Sequence, residues 1–480
     1  MLESVKPDCH STRSLRIFAI STVVTVAIVL TGEVLAHGAE RGLVLLLPTG
    51  FFMVGGALAV AASYVLLAGI PIRWFKDHHV SLSIPFPTIN RLSTSLLGLI
   101  FLCLLIGTGF AGSRDPLSNP LPLTVWTLWW VGFMILQAIV GDLWHWFNPW
   151  YAIAVKLKTG AGIVQRRISD KAGYIVAIVQ FGLFAWVELV YLSPEDPEHL
   201  AWMVAAYFVF NLAGCLVFGA GSWLATAEPF SVFSRFLGLL SPFLAERISP
   251  RKISLSLHWP GFRLVSQNAP VLVGTLFLLL ALSSVSFDGL SRTFTWLSIW
   301  QINPLEFPGR SAVTVQNSLG LIGFFAGLAS IYCLAVWMGC RLAGKPELLY
   351  PSIARLVYSI LPISLVFHLA HYLTLLMVNG QYAALAWNDP FETGADLFGI
   401  SSYHVTTSFL AHLESVRVLW TAQTSAIVIG HIAGIVVAHR IALSLYGELR
   451  AAVLSQLPLA VFMVGYTVFG LWLLSTPSIG

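Results

Sequence analysis

Charge is what this sequence has least of. Only 10% of its 480 residues are Asp, Glu, Lys or Arg, whereas soluble domains carry about 25%. That shortage argues against a water-solvated surface over most of the chain, and no stretch is polar enough to form an independent soluble domain. The five cysteines (Cys9, Cys103, Cys215, Cys333, Cys340) include no C-x-x-C pair, so they point to neither a disulfide framework nor a thiolate metal site. Four of them lie within apolar runs and read as small buried hydrophobes. The net charge of +4 is spread over short loops, which argues against a nucleic-acid partner. H-E-x-x-H and G-x-S-x-G are absent, and no local motif recurs at a fixed period.

What the chain does have is one apolar run after another, at a mean hydropathy of +0.81. A helix needs about 20 apolar residues to cross ~30 Å of hydrocarbon. Runs of that kind occupy 15–36, 43–70, 93–113, 121–141, 173–193, 200–224, 269–290, 313–340, 353–378, 420–440 and 453–475. The expected fold is therefore all-α, a polytopic transmembrane helical bundle of about ten or eleven spans.

With the N-terminus placed in the cytoplasm, the inner segments hold all but five of the 26 Lys and Arg residues. The five outside are Arg41, Arg114, Arg292, Arg310 and Arg417. This bias is the positive-inside pattern, and it puts the C-terminus outside. Two inner loops, 142–172 and 225–268, carry five basic residues each, and the outer loop 379–419 is acidic. The run AEPFSVFSRFLGLLSPF at 227–243 has one apolar face with basic punctuation and is expected along the inner lipid surface.

Residues 1–36 admit two readings, a first transmembrane helix or a signal peptide. Lys6, Arg13 and Arg16 precede a short apolar run, and Val34-Leu35-Ala36 fits a small-residue cleavage pattern. Cleavage would leave His37 with a free amine, a copper-chelating arrangement.

Ionisable side chains within a membrane line cavities or sites by default. In Phe367-His368-Leu369-Ala370-His371-Tyr372 the two imidazoles share one helical face. If that span exits near residue 378, His368 lies about 15 Å and His371 about 10 Å below the outer boundary. His431 on the next span lies about 16 Å deep, whereas His439 reaches the inner end. His368, His371 and His431, with His37, are thus the candidate ligands of a divalent metal such as Zn, Mn or Cu. Asp288, His404, His412 and Glu414 face the same side as further ligands or supporting groups, as do Glu33 and Glu188, and Asp288 reads equally as a turn residue with Gly289. The alternative for each histidine is an interhelical hydrogen bond. Asp142, in GDLWHWFNPW at 141–150, reads as part of an interfacial anchor and turn.

AHG at 36–38, that GDLWHWFNPW motif, SFDGL at 286–290, HLAHYLTLL with the following NGQ over 368–381, and GHIAGIVVAH at 430–439 together carry a resemblance. The chain resembles a family of bacterial polytopic membrane proteins, some members of which are labelled fenitrothion hydrolase. The resemblance runs from residue 36 to about 445. It implies hydrolysis of organophosphorus triesters, an apolar small-molecule substrate and a bacterial inner membrane, and it supplies no catalytic residue. A metal held by histidines would fit that chemistry. Two rival readings are a copper- or haem-binding redox protein and a transporter.

Overall fold

The computed structural model describes residues 47–70, 80–85, 89–161, 165–249, 252–268, 270–306 and 309–476. The expected span at 15–36, and with it Glu33 and His37, lies outside the described residues.

Ten helices among the described residues are long and apolar enough to cross a membrane. In chain order, and with one shorter helix included, they are α1 (Thr49–Leu67), α2 (Arg91–Ala111), α3 (Pro120–Val140), α4 (Asp170–Leu189) and α5 (Pro197–Phe218). The short α6 (Pro229–Gly238) follows, then α7 (Leu272–Ser291), α8 (Arg310–Leu342), α9 (Pro346–Asn388), α10 (Leu413–Tyr446) and α11 (Leu449–Ser475). The chain is thus a multi-pass, all-α membrane bundle whose solvent is the lipid bilayer. Helix starts follow local chemistry. The side chains of Asn90, Ser169 and Asp196 each accept a backbone N–H in the first turn of the following helix, as N-caps do.

α7 is the most enclosed span. Its serines Ser283, Ser284 and Ser286 are buried, and each donates its hydroxyl to a carbonyl three or four residues back. That self-satisfaction lets a polar run lie inside the bundle.

Contacts between loops agree with the charge alternation. Arg91 donates to the His145 carbonyl at 2.9 Å, and Arg355 to that of Val265 at 2.7 Å, joining segments assigned to the inner side. On the outer side Arg114 pairs with Glu198.

Three differences from expectation stand out. First, α9 runs to Asn388 and α10 begins at Leu413, so the outer loop is shorter than 379–419. Second, α6, central to the run expected at the lipid surface, is buried along its whole length, with Phe230, Val232, Phe233, Phe236 and Leu237 in the core. Its start explains why. Glu228, itself fully buried, accepts the N–H groups of Phe230 and Ser231, the Trp144 indole N–H and the Tyr207 hydroxyl. An apolar face with a satisfied N-terminus can enter the bundle as readily as lie on lipid. Third, three short strands form an antiparallel sheet in the order β1-β3-β2: β1 (Val80–Pro85), β2 (Phe243–Ser249) and β3 (Lys252–Leu257).

Candidate functional site

The outer ends of α4 and α7 each carry a carboxylate that α9 meets from the side. Asp288 sits one turn before the end of α7, with 1% of its side chain exposed. Three donors converge on it. Arg292 gives its Nε–H to Oδ1 at 2.9 Å, while Oδ2 takes His371 Nε2 at 2.7 Å and the Tyr372 hydroxyl at 2.9 Å. Arg292 stands four residues on along the chain, the spacing that puts two side chains on one helical face. A buried carboxylate needs that much compensation.

The Tyr372 hydroxyl also lies 2.9 Å from Glu188 Oε1, which accepts the Trp130 indole N–H at 2.9 Å. One tyrosine oxygen therefore bridges two carboxyl groups from different helices. Trp130 belongs to a π-helical stretch, Leu123–Phe133, within α3. Trp130 thus meets Glu188 through its indole and His368 through its carbonyl, which lies 2.9 Å from His368 Nε2. Arg310 closes the outer end by donating to the carbonyls of Glu188 and Tyr191, at 2.8 and 3.2 Å.

The protonation pattern of His371 follows from its partner. An ionised carboxylate only accepts, so Nε2 carries the hydrogen, and in the neutral ring that leaves the lone pair on Nδ1. Nδ1 makes no hydrogen bond among the described residues, and 21% of the side chain is exposed. Beside it stands Gly289. A Cβ there would lie 3.7 Å from Nδ1 and 3.2 Å from Leu473 Cδ1, so the glycine keeps room next to the free ring nitrogen. Arg292 resembles His371 in this respect: only its Nε bonds Asp288, and its terminal nitrogens make no hydrogen bond among the described residues.

The structure brings His371, Asp288 and Glu188 together and sets His368 at their border, its ring 4.9 Å from that of Tyr372; among the described residues the other candidates make no hydrogen bond to this group. His368 turns to Trp130, its ring 4.8 Å from the indole, and its Nδ1 is buried without a partner. His431 bonds the Ile427 carbonyl of its own helix at 2.8 Å, and its ring faces Tyr466 on α11. Equal depth did not bring these rings together, because depth along an axis says nothing about which way a helix face points. His404, His412 and Glu414 are exposed at the outer loop and at the start of α10. Among the described residues, no three His, Cys, Asp or Glu side chains gather to hold a metal ion. His439 is buried, with Nδ1 3.3 Å from Gln456, so it packs inside the bundle.

No family model, curated protein or solved structure matches this chain.

Tyr372, Arg292 and Trp130 were not among the candidates from sequence. Arg292 carried a signal in its spacing from Asp288, and Tyr372 in its adjacency to His371. Nothing in the sequence marks Trp130 among 17 tryptophans.

Proposed function

We propose that the protein is an integral hydrolase of a bacterial inner membrane. Its substrates would be apolar esters, of the organophosphorus triester class that the resemblance implies, and its general base would be His371. The observation that carries this reading is the contact of His371 with the buried Asp288, 2.7 Å long, with no hydrogen bond to the second ring nitrogen among the described residues. In the reaction, His371 Nδ1 takes a proton from water as the water oxygen bonds to phosphorus. Asp288 holds the ring and stabilises the imidazolium. Arg292, fixed by Nε, offers its terminal N–H groups to the phosphoryl oxygen. The phosphorus–aryloxide bond then breaks, and the proton returns to the leaving oxygen or to solvent. Apolar triesters dissolve in lipid and would approach the outer ends of α4 and α7 from the bilayer.

The same pair would suit a metal ligand. A ligating imidazole is ordinarily backed by a carboxylate on its other nitrogen, and a divalent ion at Nδ1 would polarise the phosphoryl group or its attacking water. His37 lies outside the described residues, so it adds no geometry to this second reading.

The test is 4-nitrophenol release from an aryl phosphotriester by detergent-purified protein under varied metal supply, with metal analysis of the same sample. Activity is expected in the wild type, and His371→Asn should lower kcat by about 10²–10⁴-fold, the usual contribution of a general base. A wild type that releases no nitrophenol under any metal supply contradicts the hydrolase reading. A Soret band or a copper signal would favour the redox reading instead.

A further inference from the structure

The sheet is amphipathic in an unusual sense. Residues opposite one another in antiparallel strands point to the same face. Val80, Leu257 and Phe243 therefore form one rung, and Leu82, Leu255 and Ala245 another on the same side. The alternate rungs hold Ser81 and Leu244 with Ser256, and Ser83 with Ser254 and Glu246, so serines dominate this face and Leu244 is its one large apolar side chain among these rungs. A sheet with one face in water normally turns its apolar side inward. Here Val80 and Leu82 are 74% and 64% exposed and Leu257 50%, while Ser256 is buried. Trp259, just past β3, is 68% exposed.

Its position gives the apolar face a neighbour. β1 lies between α1 and α2, and β2 and β3 lie between α6 and α7, so both loops sit on the side that the charge pattern makes cytoplasmic. Ser241, two residues before β2, donates to the Ile139 carbonyl at 2.9 Å. That ties the root of the sheet to the inner end of α3, where the apolar Leu136, Ile139 and Val140 are themselves exposed. Arg263 reaches back to the Gly238 carbonyl and holds the far side of the hairpin to the bundle. The hairpin sequence carries Arg247, Arg251 and Lys252 against Glu246, a balance that suits anionic headgroups. An exposed tryptophan also fits the headgroup level.

We propose that this three-stranded sheet rests on the inner leaflet, with the face bearing Val80, Leu82 and Leu257 against lipid and the serine face away from it. Two loops distant in sequence would then form one interfacial platform continuous with the lipid-facing surface of α3. Its occupant is the bilayer that holds the protein, rather than a second copy.

The two faces can be read separately by spin labels in a cysteine-replaced full-length protein, reconstituted in bilayers containing anionic lipid. Labels at Leu82→Cys and Leu257→Cys should collide more with oxygen than with a water-soluble nickel complex. Ser83→Cys and Ser254→Cys should show the reverse order. Two results would overturn the proposal. One is equal access of the nickel complex to both faces, which puts the sheet in water. The other is dipolar broadening at Leu82→Cys that disappears on dilution with unlabelled protein, which puts a second copy there. Using two labels per face guards against one variant failing to fold.

Discussion

At the scale of single residues, the account turns on how Asp288 is satisfied. Replacing it with alanine takes the shared acceptor from the Arg292 guanidinium, the His371 imidazole and the Tyr372 hydroxyl at once, a larger loss than that of any single donor. Asp288→Ala should therefore unfold in detergent at a clearly lower temperature than wild type. Tyr372→Phe removes only the bridging hydroxyl with its single hydrogen, and leaving one buried acceptor short of a donor costs about 1–3 kcal/mol, so its Tm should fall less. A Tyr372→Phe protein as unstable as Asp288→Ala would show that Tyr372, not the ion pair, holds the cluster together. Part of this network was legible in the sequence. Ionisable groups in apolar runs pointed to His371, Asp288 and Glu188, because such groups are expensive there unless they line a site or find a partner. What could not be read was direction. His368 and His431 have the depth for a shared site, but each ring takes its partner from whichever neighbour its helix face meets.

Among elements, α6 shows where periodicity runs out. A helix with one apolar face and one basic residue fits a lipid surface or a bundle interior equally well. The deciding feature is Glu228, whose four donors come from α6 itself, from Trp144 of the GDLWHWFNPW motif and from Tyr207 on α5. Glu228→Ala removes an N-cap worth about 0.5–2 kcal/mol and leaves buried donors unpaired at about 1–3 kcal/mol each. The variant is expected to lose the monodisperse elution of the wild type in detergent; unchanged elution and Tm would remove α6 from its structural role. The sheet was legible only as alternation in VSLSIP and KISLSL, each too short to outweigh the helical pattern around it. The outer loop is held by its acids instead. Asp396 takes the Asn388 amide at 2.7 Å, the Ser401 hydroxyl at 2.9 Å and the backbone N–H of Ile400 at 2.8 Å. The Asn388 and Ser401 side chains hold its carboxyl below the ordinary range. The ionised form is thus favoured in the folded loop. This contribution is fully present above about pH 4, the ordinary carboxylate value, and is lost as pH falls through the lowered value. Asp396→Ala should expose the loop to protease from outside at neutral pH; equal resistance in wild type and variant would contradict this.

Across the whole molecule, composition and charge alternation carried most of the architecture. Ten of the eleven expected runs correspond to the ten long apolar helices among the described residues, because a hydrocarbon solvent leaves a chain few alternatives to helices. The sequence gives no hint of how α4, α7 and α9 turn toward one another, yet that arrangement brings Glu188, Asp288 and His371 together. The central claim is that chemistry belongs to the His371–Asp288 pair and not to a histidine trio across α9 and α10. The most direct measurement compares kcat for aryl phosphotriester hydrolysis, per mole of folded protein, in wild type, His371→Asn and His431→Asn. The account predicts a fall of about 10²–10⁴-fold for His371→Asn and a kcat near wild type for His431→Asn. Equal losses in both variants, or full activity in His371→Asn, would contradict it.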